Sequence, residues 1–519
     1  MKVEGLALIF VLLSGVSDGS RILIYYPTIG ISHVLPVQAL AKSLAERNHE
    51  ITFVSPFPLS KPVKNYRDIK LENNDDATAS FISEVTKNPK NVSMFQMMSK
   101  MPQLIFKFGN ETLQSKEVRR LMKEEQFDLV IVGFFFTDFG LGLADHFKCP
   151  SIVFSHGAGS FWTLNRMVGN PTSLSTVPSG FIRGEMTSFI NRLKTFFLTG
   201  VEVAIAEYMK YYSKQVYEYN FPKSEGYISY EEAHNNVSLV FMNSHFSGAS
   251  VRPLLPNMVE VGGLQVKPVS DPLPEKLQAF LDGAKQGAIL FTLGSNSKSK
   301  YLPEQTLKIL LTVFSKLKQR VVMKWESDVL EGKPDNVFVG TWLPQDDILA
   351  HPNIKLFISH CGLGGVVEAR HHGVPIIGLP VYGDQPKNAE EVASEGWGIQ
   401  MDLMELTETS LMESINEIIT VPRYSEIAKK LSALTRDRPM NAKDTAVYWV
   451  EYVLRHRGAP HIHYAGADLN FLQYNSYDII GLLLLILWIS GKTIKFVVVR
   501  LCCRKKILRG KGNNRKKTN

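Results

Sequence analysis

Cysteine is scarce in this chain, which has only four among 519 residues. Cys149 and Cys361 lie in the body of the sequence, whereas Cys502 and Cys503 stand near the carboxyl end. This number and spacing exclude a small fold that is held together by a framework of disulfides. The protein must instead be stabilised by apolar cores, and its length predicts two domains or more.

Acidic residues are absent after Asp478, although eleven lysines and arginines follow it. The formal net charge of the whole chain is +8, so removing these eleven charges leaves −3 for the rest. The high isoelectric point therefore comes from the tail. Because the body carries no excess of positive charge, the composition gives no basis for nucleic-acid binding.

Clusters of metal ligands are also missing. His371 and His372 are adjacent, and His461 and His463 are separated by one residue, with no third ligand at a suitable spacing. We therefore expect no metal and no other bound cofactor.

Long hydrophobic runs are confined to the two ends. Residues 1–19 combine Lys2, an apolar run and small residues before Ser20, which is typical of a signal peptide. Residues 477–499 predict a transmembrane helix whose Lys492 and Lys495 extend towards the headgroups. A buried core helix is the alternative interpretation of this second segment.

The basic tail, residues 500–519, predicts the orientation of the chain in the membrane. The excess of lysine and arginine places the tail in the cytosol and the body in the lumen. Lys516 and Lys517 resemble a dilysine retrieval signal of the endoplasmic reticulum, with chance lysines in a basic tail as the alternative. We expect a single-pass type I protein, and the glycosylation sequons fit a lumenal body: Asn91, Asn110 and Asn236.

The body alternates β-rich and helical patterns from Arg21 onwards, which is typical of parallel α/β layers. We expect a Rossmann-like domain over 20–250, a proline-rich linker over 251–274 and a second such domain over 275–440. Residues 441–470 are expected to return towards the first domain. Two similar halves predict a cleft. The aromatic-rich stretches in the first half either line a binding site for an acceptor molecule or form ordinary helical core.

The segment from Phe357 to Gln385 carries the strongest chemical signal. A predicted strand ends at His360, and a glycine-rich turn then leads into a helix, whose N-terminus is an anion site. Glycines let a diphosphate approach the backbone closely: Gly362, Gly364 and Gly365. Glu368, inside the helix, is suited to ribose hydroxyls, and Asp384 and Gln385 follow the next strand at the same sheet edge.

This segment is similar, position by position, to the signature of the UDP-glycosyltransferase superfamily, which contains glucuronosyl- and glucosyltransferases. The similarity spans essentially the whole chain, including Arg252–Pro256, Trp342–Gln345 and Arg436–Pro460. The chain resembles the membrane-bound animal branch, with an insect-like character. The resemblance implies an α/β, GT-B-like fold of two facing Rossmann-type domains with parallel sheets, plus a C-terminal transmembrane helix.

The same resemblance implies the function. We expect an inverting transfer of a hexose from a UDP-sugar to a hydroxyl of a small lipophilic acceptor, as in detoxification. Glucose is favoured over glucuronate. The partners would be the UDP-sugar, the acceptor and membrane lipid, with no nucleic acid, and a homo-oligomer is left open.

Residue roles follow from the resemblance. Trp342 would stack on uracil and Gln345 would hydrogen-bond near the base. His360 and Ser295 would lie near the phosphates, Glu368 would hold the ribose, and Asp384 and Gln385 would bind sugar hydroxyls. Arg252 would either pair with a glucuronate carboxylate or be structural.

The resemblance makes His33 the catalytic base, because a neutral imidazole can take the proton of the acceptor hydroxyl. The family places an acidic partner where this chain has Gly133. Asp138 is the nearest replacement and Asp145 a weaker one, although Asp138 could equally be a helix cap. Gly364 and Gly365 replace polar side chains of relatives, which predicts weaker donor binding.

These departures leave other functions open. A pseudoenzyme would bind a UDP-sugar or a lipophile without turnover, whereas a single-pass receptor or scaffold would have no affinity for UDP. A sugar-nucleotide epimerase is a more distant alternative. The donor sugar and the acceptor are not determined by the sequence.

Overall fold

The computed structural model describes residues 19–28, 30–72, 94–134, 137–157, 162–177, 186–248, 251–295, 297–327 and 329–513. All but the last residue of the expected signal peptide lies outside these residues. Asn91, Lys516 and Lys517 lie outside them as well.

The chain forms two compact units, Met1–His463 and Tyr464–Asn519. The strands of the first unit have the following bounds: β1 (Arg21–Tyr25), β2 (Glu50–Ser55), β3 (Tyr66–Lys70), β4 (Leu129–Phe134), β5 (Ser151–Ser155), β6 (Val237–Met242), β7 (Met258–Glu260), β8 (Ala288–Thr292), β9 (Arg320–Lys324), β10 (Val337–Gly340), β11 (Ile354–Ser359), β12 (Ile376–Gly378) and β13 (Gly398–Gln400).

Helices alternate with these strands in the first unit: α1 (Ile31–Glu46), α2 (Met94–Gln114), α3 (Lys116–Glu124), α4 (Gly142–Phe147), α5 (Trp162–Val168), α6 (Phe189–Asn220), α7 (Tyr230–Asn235), α8 (Glu275–Asp282), α9 (Glu304–Lys316), α10 (Gln345–Leu349), α11 (Leu363–His372), α12 (Gln385–Ser394), α13 (Glu408–Thr420), α14 (Pro422–Arg436) and α15 (Ala442–Arg455). The second unit contains α16 (Phe471–Tyr474) and α17 (Tyr477–Asn513).

The strands form two parallel sheets. The first has the order β3-β2-β1-β4-β5-β6-β7 and the second the order β10-β9-β8-β11-β12-β13. In each sheet the order reverses beside the first strand of the series, which is the doubly wound arrangement of Rossmann-like domains. The predicted fold class is therefore confirmed.

Successive side chains of β1 point to opposite faces of the first sheet. Ile22 and Ile24 pack in one core with α1 and α15, and Tyr26, just beyond the strand, joins them. Leu23 and Tyr25 pack in the other core with residues of α2, α6 and α7. Both faces of the sheet are covered, which explains why its strands read as continuous apolar runs.

The proline-rich segment predicted as a linker is in part a strand. β7 pairs with β6 and completes the first sheet. The residues after it then run along the second domain: Gln265 Nε2 donates to Gly364 O at 3.4 Å, and Lys267 Nζ donates to Asp347 Oδ2 at 2.6 Å. This segment therefore contacts the helix that was predicted to bind the diphosphate.

The second unit contains one helix, among the described residues, that is long and apolar enough to cross a bilayer. Its apolar stretch covers Tyr477–Cys502, 26 residues with a mean hydropathy of 2.1. This length exceeds the roughly 20 residues that a span requires.

Candidate active site

The glycine-rich turn of the second domain joins β11 to α11. Cys361 has a left-handed backbone, with φ of 59°, and its N–H donates to Ser359 Oγ at 3.1 Å. Gly362 is the N-cap of α11 and has no capping side chain. The turn therefore presents a helix N-terminus, the anion site that the sequence predicted.

The His360 ring is held between two glycines. A Cβ atom at Gly294 would lie 2.5 Å from its Cε1, and one at Gly362 would lie 2.6 Å from its Nε2. Burial, and then the charge of Lys324, lower the pKa of His360 to about 4, so the ring is neutral at pH 7. Its Nδ1 is buried with no hydrogen-bond partner in the described part of the chain.

Lys324 was not identified from the sequence. It ends β9, is buried, and its Nζ donates to Gly294 O at 2.6 Å. The same atom lies 5.3 Å from the centre of the Trp342 ring and 3.6 Å from Glu326 Oε1. Burial lowers the pKa of Lys324. Its position at the end of an apolar strand was the available signal, because a buried lysine rarely lacks a partner.

Gln345 and Glu368 form one hydrogen-bonded pair. Gln345 Nε2 donates to Glu368 Oε2 at 2.7 Å, and Glu368 is buried. Burial, and then the charge of Asp346, raise the pKa of Glu368 to about 8. With this pKa the carboxyl is mostly protonated at pH 7, so it can both donate to and accept from the hydroxyls of a ribose.

The two remaining nucleotide candidates differ in exposure. Trp342 is 57% exposed, so an aromatic base can stack on its ring. Ser295, in the loop after β8, has a buried hydroxyl without a hydrogen-bond partner among the described residues. A phosphate oxygen would provide that partner.

The predicted sugar residues begin α12. Asp384 is its N-cap, and Asp384 Oδ2 accepts a hydrogen bond from Asn388 Nδ2 at 2.7 Å. Gln385 is buried, and its Oε1 accepts the N–H groups of Val381 and Tyr382 at 2.8 and 3.1 Å. Asp384 therefore has the more accessible side chain, and the amide oxygen of Gln385 already shapes the loop.

The two glycines of the first turn of α11 have different surroundings. A Cβ atom at Gly364 would meet nothing closer than Gln265 Nε2 at 3.9 Å. One at Gly365 would lie 3.3 Å from both Gln345 Nε2 and Phe357 Cε1. Only Gly364 therefore has room for a polar side chain.

The base candidate, His33, lies in the first turn of α1, in the first domain. Its ring centre is 4.1 Å from that of His156, with 30° between the ring planes, and its Nδ1 is 3.5 Å from Thr28 Oγ1. Burial lowers the pKa of His33 to about 4, so this ring is also neutral at pH 7.

The structure gives Asp138 a role different from the predicted one. Its Oδ1 accepts from Ser213 Oγ at 2.9 Å, and its Oδ2 binds Tyr230 OH and His234 Nε2, the latter at 2.8 Å. The Tyr230 ring packs in the core opposite α1. Asp138 is thus on the other face of the sheet from the helix that carries His33, because the two cores are separated by β1 and β4.

Asp145, the weaker candidate, is also engaged elsewhere. It binds Lys148 Nζ at 2.7 Å and the N–H of Ile228 at 2.9 Å. Neither carboxylate could be assigned from the sequence, because the number of residues between it and β4 does not determine on which face of the sheet it lies.

Arg252 lies near the carboxylates of Glu202 and Glu260, and burial lowers its pKa. Burial outweighs the attraction of these two carboxylates, and both interpretations of Arg252 stay predictions. Of the sequons, Asn236 is exposed after α7. Asn110 lies inside α2, and its Oδ1 accepts from Asn220 Nδ2 at 2.8 Å, so this sequon is poorly accessible in the folded chain.

Known proteins resemble the chain over nearly its full length. Residues 22–514 match the family described as UDP-glucoronosyl and UDP-glucosyl transferase. UDP-glucosyltransferase 2 of Dactylopius coccus is 36% identical over 511 residues, 96% of this chain and 95% of the relative. Human UDP-glucuronosyltransferase 1A8 is 29% identical, over 94% of this chain and 92% of the relative.

Solved structures share the fold. A UDP-glucosyltransferase from Polygonum tinctorium superposes with a TM-score of 0.57 at 16% identity, covering 85% of this chain and all of that one. A Phytolacca americana enzyme, complexed with UDP-2-fluoro-glucose and pterostilbene, gives a TM-score of 0.56 at 14% identity, over 84% and 99% of the two chains. The family match and the relatives confirm the resemblance found in the signature segment: the chain belongs to the UDP-glucoronosyl and UDP-glucosyl transferase family and is a UDP-glycosyltransferase.

Proposed function

We propose that this enzyme transfers a hexose, with inversion, from a UDP-sugar to a hydroxyl of a small lipophilic acceptor. The observation that carries the proposal is the single cluster formed around the N-terminus of α11. There the Gln345–Glu368 pair, the His360 ring and the buried Lys324 surround one turn. This set offers a carboxyl to a ribose and cationic or N–H groups to a diphosphate.

In the proposed reaction, the neutral His33 imidazole takes the acceptor's O–H proton while the acceptor oxygen bonds to the anomeric carbon. The bond between that carbon and the diphosphate oxygen breaks in the same step. The electron pair leaves with UDP, whose charge is stabilised by the α11 N-terminus and by Lys324. One displacement inverts the anomeric configuration, and no covalent intermediate with the enzyme is needed.

Glucose is the favoured donor sugar, because the insect relative is a glucosyltransferase by name and is more similar than the human glucuronosyltransferase. Arg252, the residue that would pair with a glucuronate carboxylate, is already attracted by the carboxylates of Glu202 and Glu260. The donor site needs no metal in this proposal, since Lys324 and the helix N-terminus supply positive potential.

We further propose that α17 anchors the enzyme in the endoplasmic-reticulum membrane, with its catalytic body in the lumen. The apolar length of Tyr477–Cys502 and the basic residues that follow it support this orientation. A bilayer would concentrate lipophilic acceptors near the enzyme, which suits a role in detoxification.

A catalytically impaired, ligand-binding protein is the second candidate. It is favoured by Gly133, which provides no carboxylate beside the base, and by the partners of Asp138, which hold that carboxylate on the other face of the sheet.

The two proposals differ in a UDP-release assay. Microsomes that contain the full chain are supplied with UDP-glucose or UDP-glucuronate and a panel of phenols, and His33→Ala is the control. Release with one donor, lost in His33→Ala, is the expected result. Binding of UDP without release from any combination would contradict the transferase proposal and support the ligand-binding protein.

A further inference from the structure

The stack of His33 on His156 bridges three neighbouring strands. His33 follows β1, His156 follows β5, and β4 lies between these strands in the sheet. Gly133, on β4, pairs in register with Phe154 of β5. The two imidazoles therefore follow the strands on either side of β4, and their ring centres lie 4.1 Å apart.

Tyr26 occupies the space that a side chain at position 133 would need. A Cβ atom built on Gly133 would lie 2.0 Å from Cδ2 of the Tyr26 ring. That ring is 1% exposed and contacts Phe154 edge to face, with ring centres 6.4 Å apart. The position of the family's acidic partner is therefore filled by an aromatic ring in this chain.

We propose that His156 is the positioning residue of His33 and performs, by ring stacking, the orienting role that the acidic partner performs in relatives. The proposal rests on the assignment of His33 as the base. It goes beyond the proposed reaction, because it assigns the orienting role to a histidine after β5 and not to an acidic residue on β4.

A carboxylate partner does two things for a catalytic histidine: it orients the ring and stabilises the imidazolium. A neighbouring ring at 4.1 Å, tilted by 30°, can orient the imidazole by packing against it. The face of an uncharged aromatic ring also attracts a cation, particularly where water is excluded. His156 can therefore orient the His33 ring and weakly attract the imidazolium, but it does not replace the negative charge of a carboxylate.

His156 must stay neutral when His33 takes the proton. Burial, and then the charge of His33, keep the pKa of His156 well below its usual range. Tyr26, which packs against Gly133, is neutral as well, since burial raises its pKa. The pair therefore carries at most one positive charge during turnover.

Two variants of similar bulk test the proposal in the full chain. His156→Phe keeps an aromatic face, whereas His156→Leu fills the same space without one. We expect kcat to fall about tenfold in His156→Leu but less than threefold in His156→Phe. The dissociation constant of UDP should be unchanged in both, which also reports that the variants are folded.

A proton NMR titration of histidine-labelled protein gives a readout that does not need turnover. The Cε1 proton of His33 is assigned by its loss in His33→Ala. Its ring-current shift should persist in His156→Phe and disappear in His156→Leu. The same chemical shift and the same kcat in both variants would overturn the proposal. Turnover that survives in His33→Ala would instead overturn the proposed function, whatever the shift shows.

Discussion

Near the proposed base, His33, the lack of a side chain at Gly133 changes which residues come into contact. Gly133 and Tyr26 share a space that holds a single large group, and Tyr26 takes it. A simple restoration of the family's acidic residue at position 133 is therefore expected to fail, because the aromatic ring blocks it.

Gly133→Asp should destabilise the first domain by about 2 kcal/mol or more, since it forces a side chain into a filled core. The cost should be smaller in the Tyr26→Ala background, where the ring is absent. Thermal unfolding of the two single variants and the double variant measures this coupling. Equal costs of Gly133→Asp in both backgrounds would contradict the described packing.

Most of the predicted donor residues could be named from the sequence because they belong to the segment Phe357–Gln385, whereas Ser295, Trp342 and Gln345 lie outside it and were named from the resemblance alone. His360, Gly362 and Glu368 are separated by fixed distances along a strand, a turn and a helix. The surroundings of His33 could not be predicted, since they depend on which residues of β1, β4 and β5 come together. Lys324 and His156 were not identified for the same reason: Lys324 ends β9 and His156 directly follows β5, both outside the signature segment.

At the level of single elements, the first turn of α11 determines how tightly the diphosphate can be held. Neither Gly364 nor Gly365 has a side chain that could reach the diphosphate, and only Gly364 faces open space. The two positions therefore form a matched pair for testing donor binding.

Gly364→Ser should tighten UDP binding about threefold to tenfold, because its hydroxyl adds a hydrogen bond to a charged group. Gly365→Ser, the control, should weaken binding by crowding Gln345 and Phe357. Calorimetric titration with UDP measures both dissociation constants. Tighter UDP binding by Gly365→Ser together with weaker binding by Gly364→Ser would contradict the described geometry of the two positions.

Asp138, in the loop after β4, accepts hydrogen bonds from side chains of α6 and α7. We therefore expect it to stabilise the fold. Burial alone would raise the pKa of Asp138, but hydrogen bonds from His234, Tyr230 and Ser213 outweigh burial and hold it below the usual value. The carboxylate therefore stabilises the fold above the unfolded pKa, and this contribution is lost only as the pH falls through the lower folded pKa.

Asp138→Asn should lower the free energy of unfolding by about 3 kcal/mol at pH 7, because it removes a buried charge from its partners. The difference from wild type should persist down to about pH 4 and shrink below it. Denaturant unfolding at several pH values measures this, with the UDP dissociation constant as control. Unchanged stability together with weaker UDP binding would contradict the assignment.

At the level of the whole molecule, two doubly wound sheets were predictable from the alternation of apolar strands and amphipathic helices. The boundary between them was less accessible, since the proline-rich segment contains β7 and also runs along the second domain. Proline marked an interruption of the helical pattern there but could not distinguish a linker from an edge strand.

The donor site as a whole is proposed to work without a metal. Among the described residues, no three His, Cys, Asp or Glu side chains converge as metal ligands. Activity in excess EDTA should stay within twofold of the untreated enzyme. Loss of activity that added Mg²⁺ or Mn²⁺ restores would show that a cation assists the leaving UDP.

The central claim is that the full chain is an inverting transferase whose base is His33. The most direct measurement is proton NMR of the conjugate that forms from the α-linked UDP-sugar, with wild type and His33→Ala compared under the same conditions. The claim predicts a β-linked product from wild type and none from His33→Ala. An α-linked product, or a β-linked product formed equally well by His33→Ala, would contradict it.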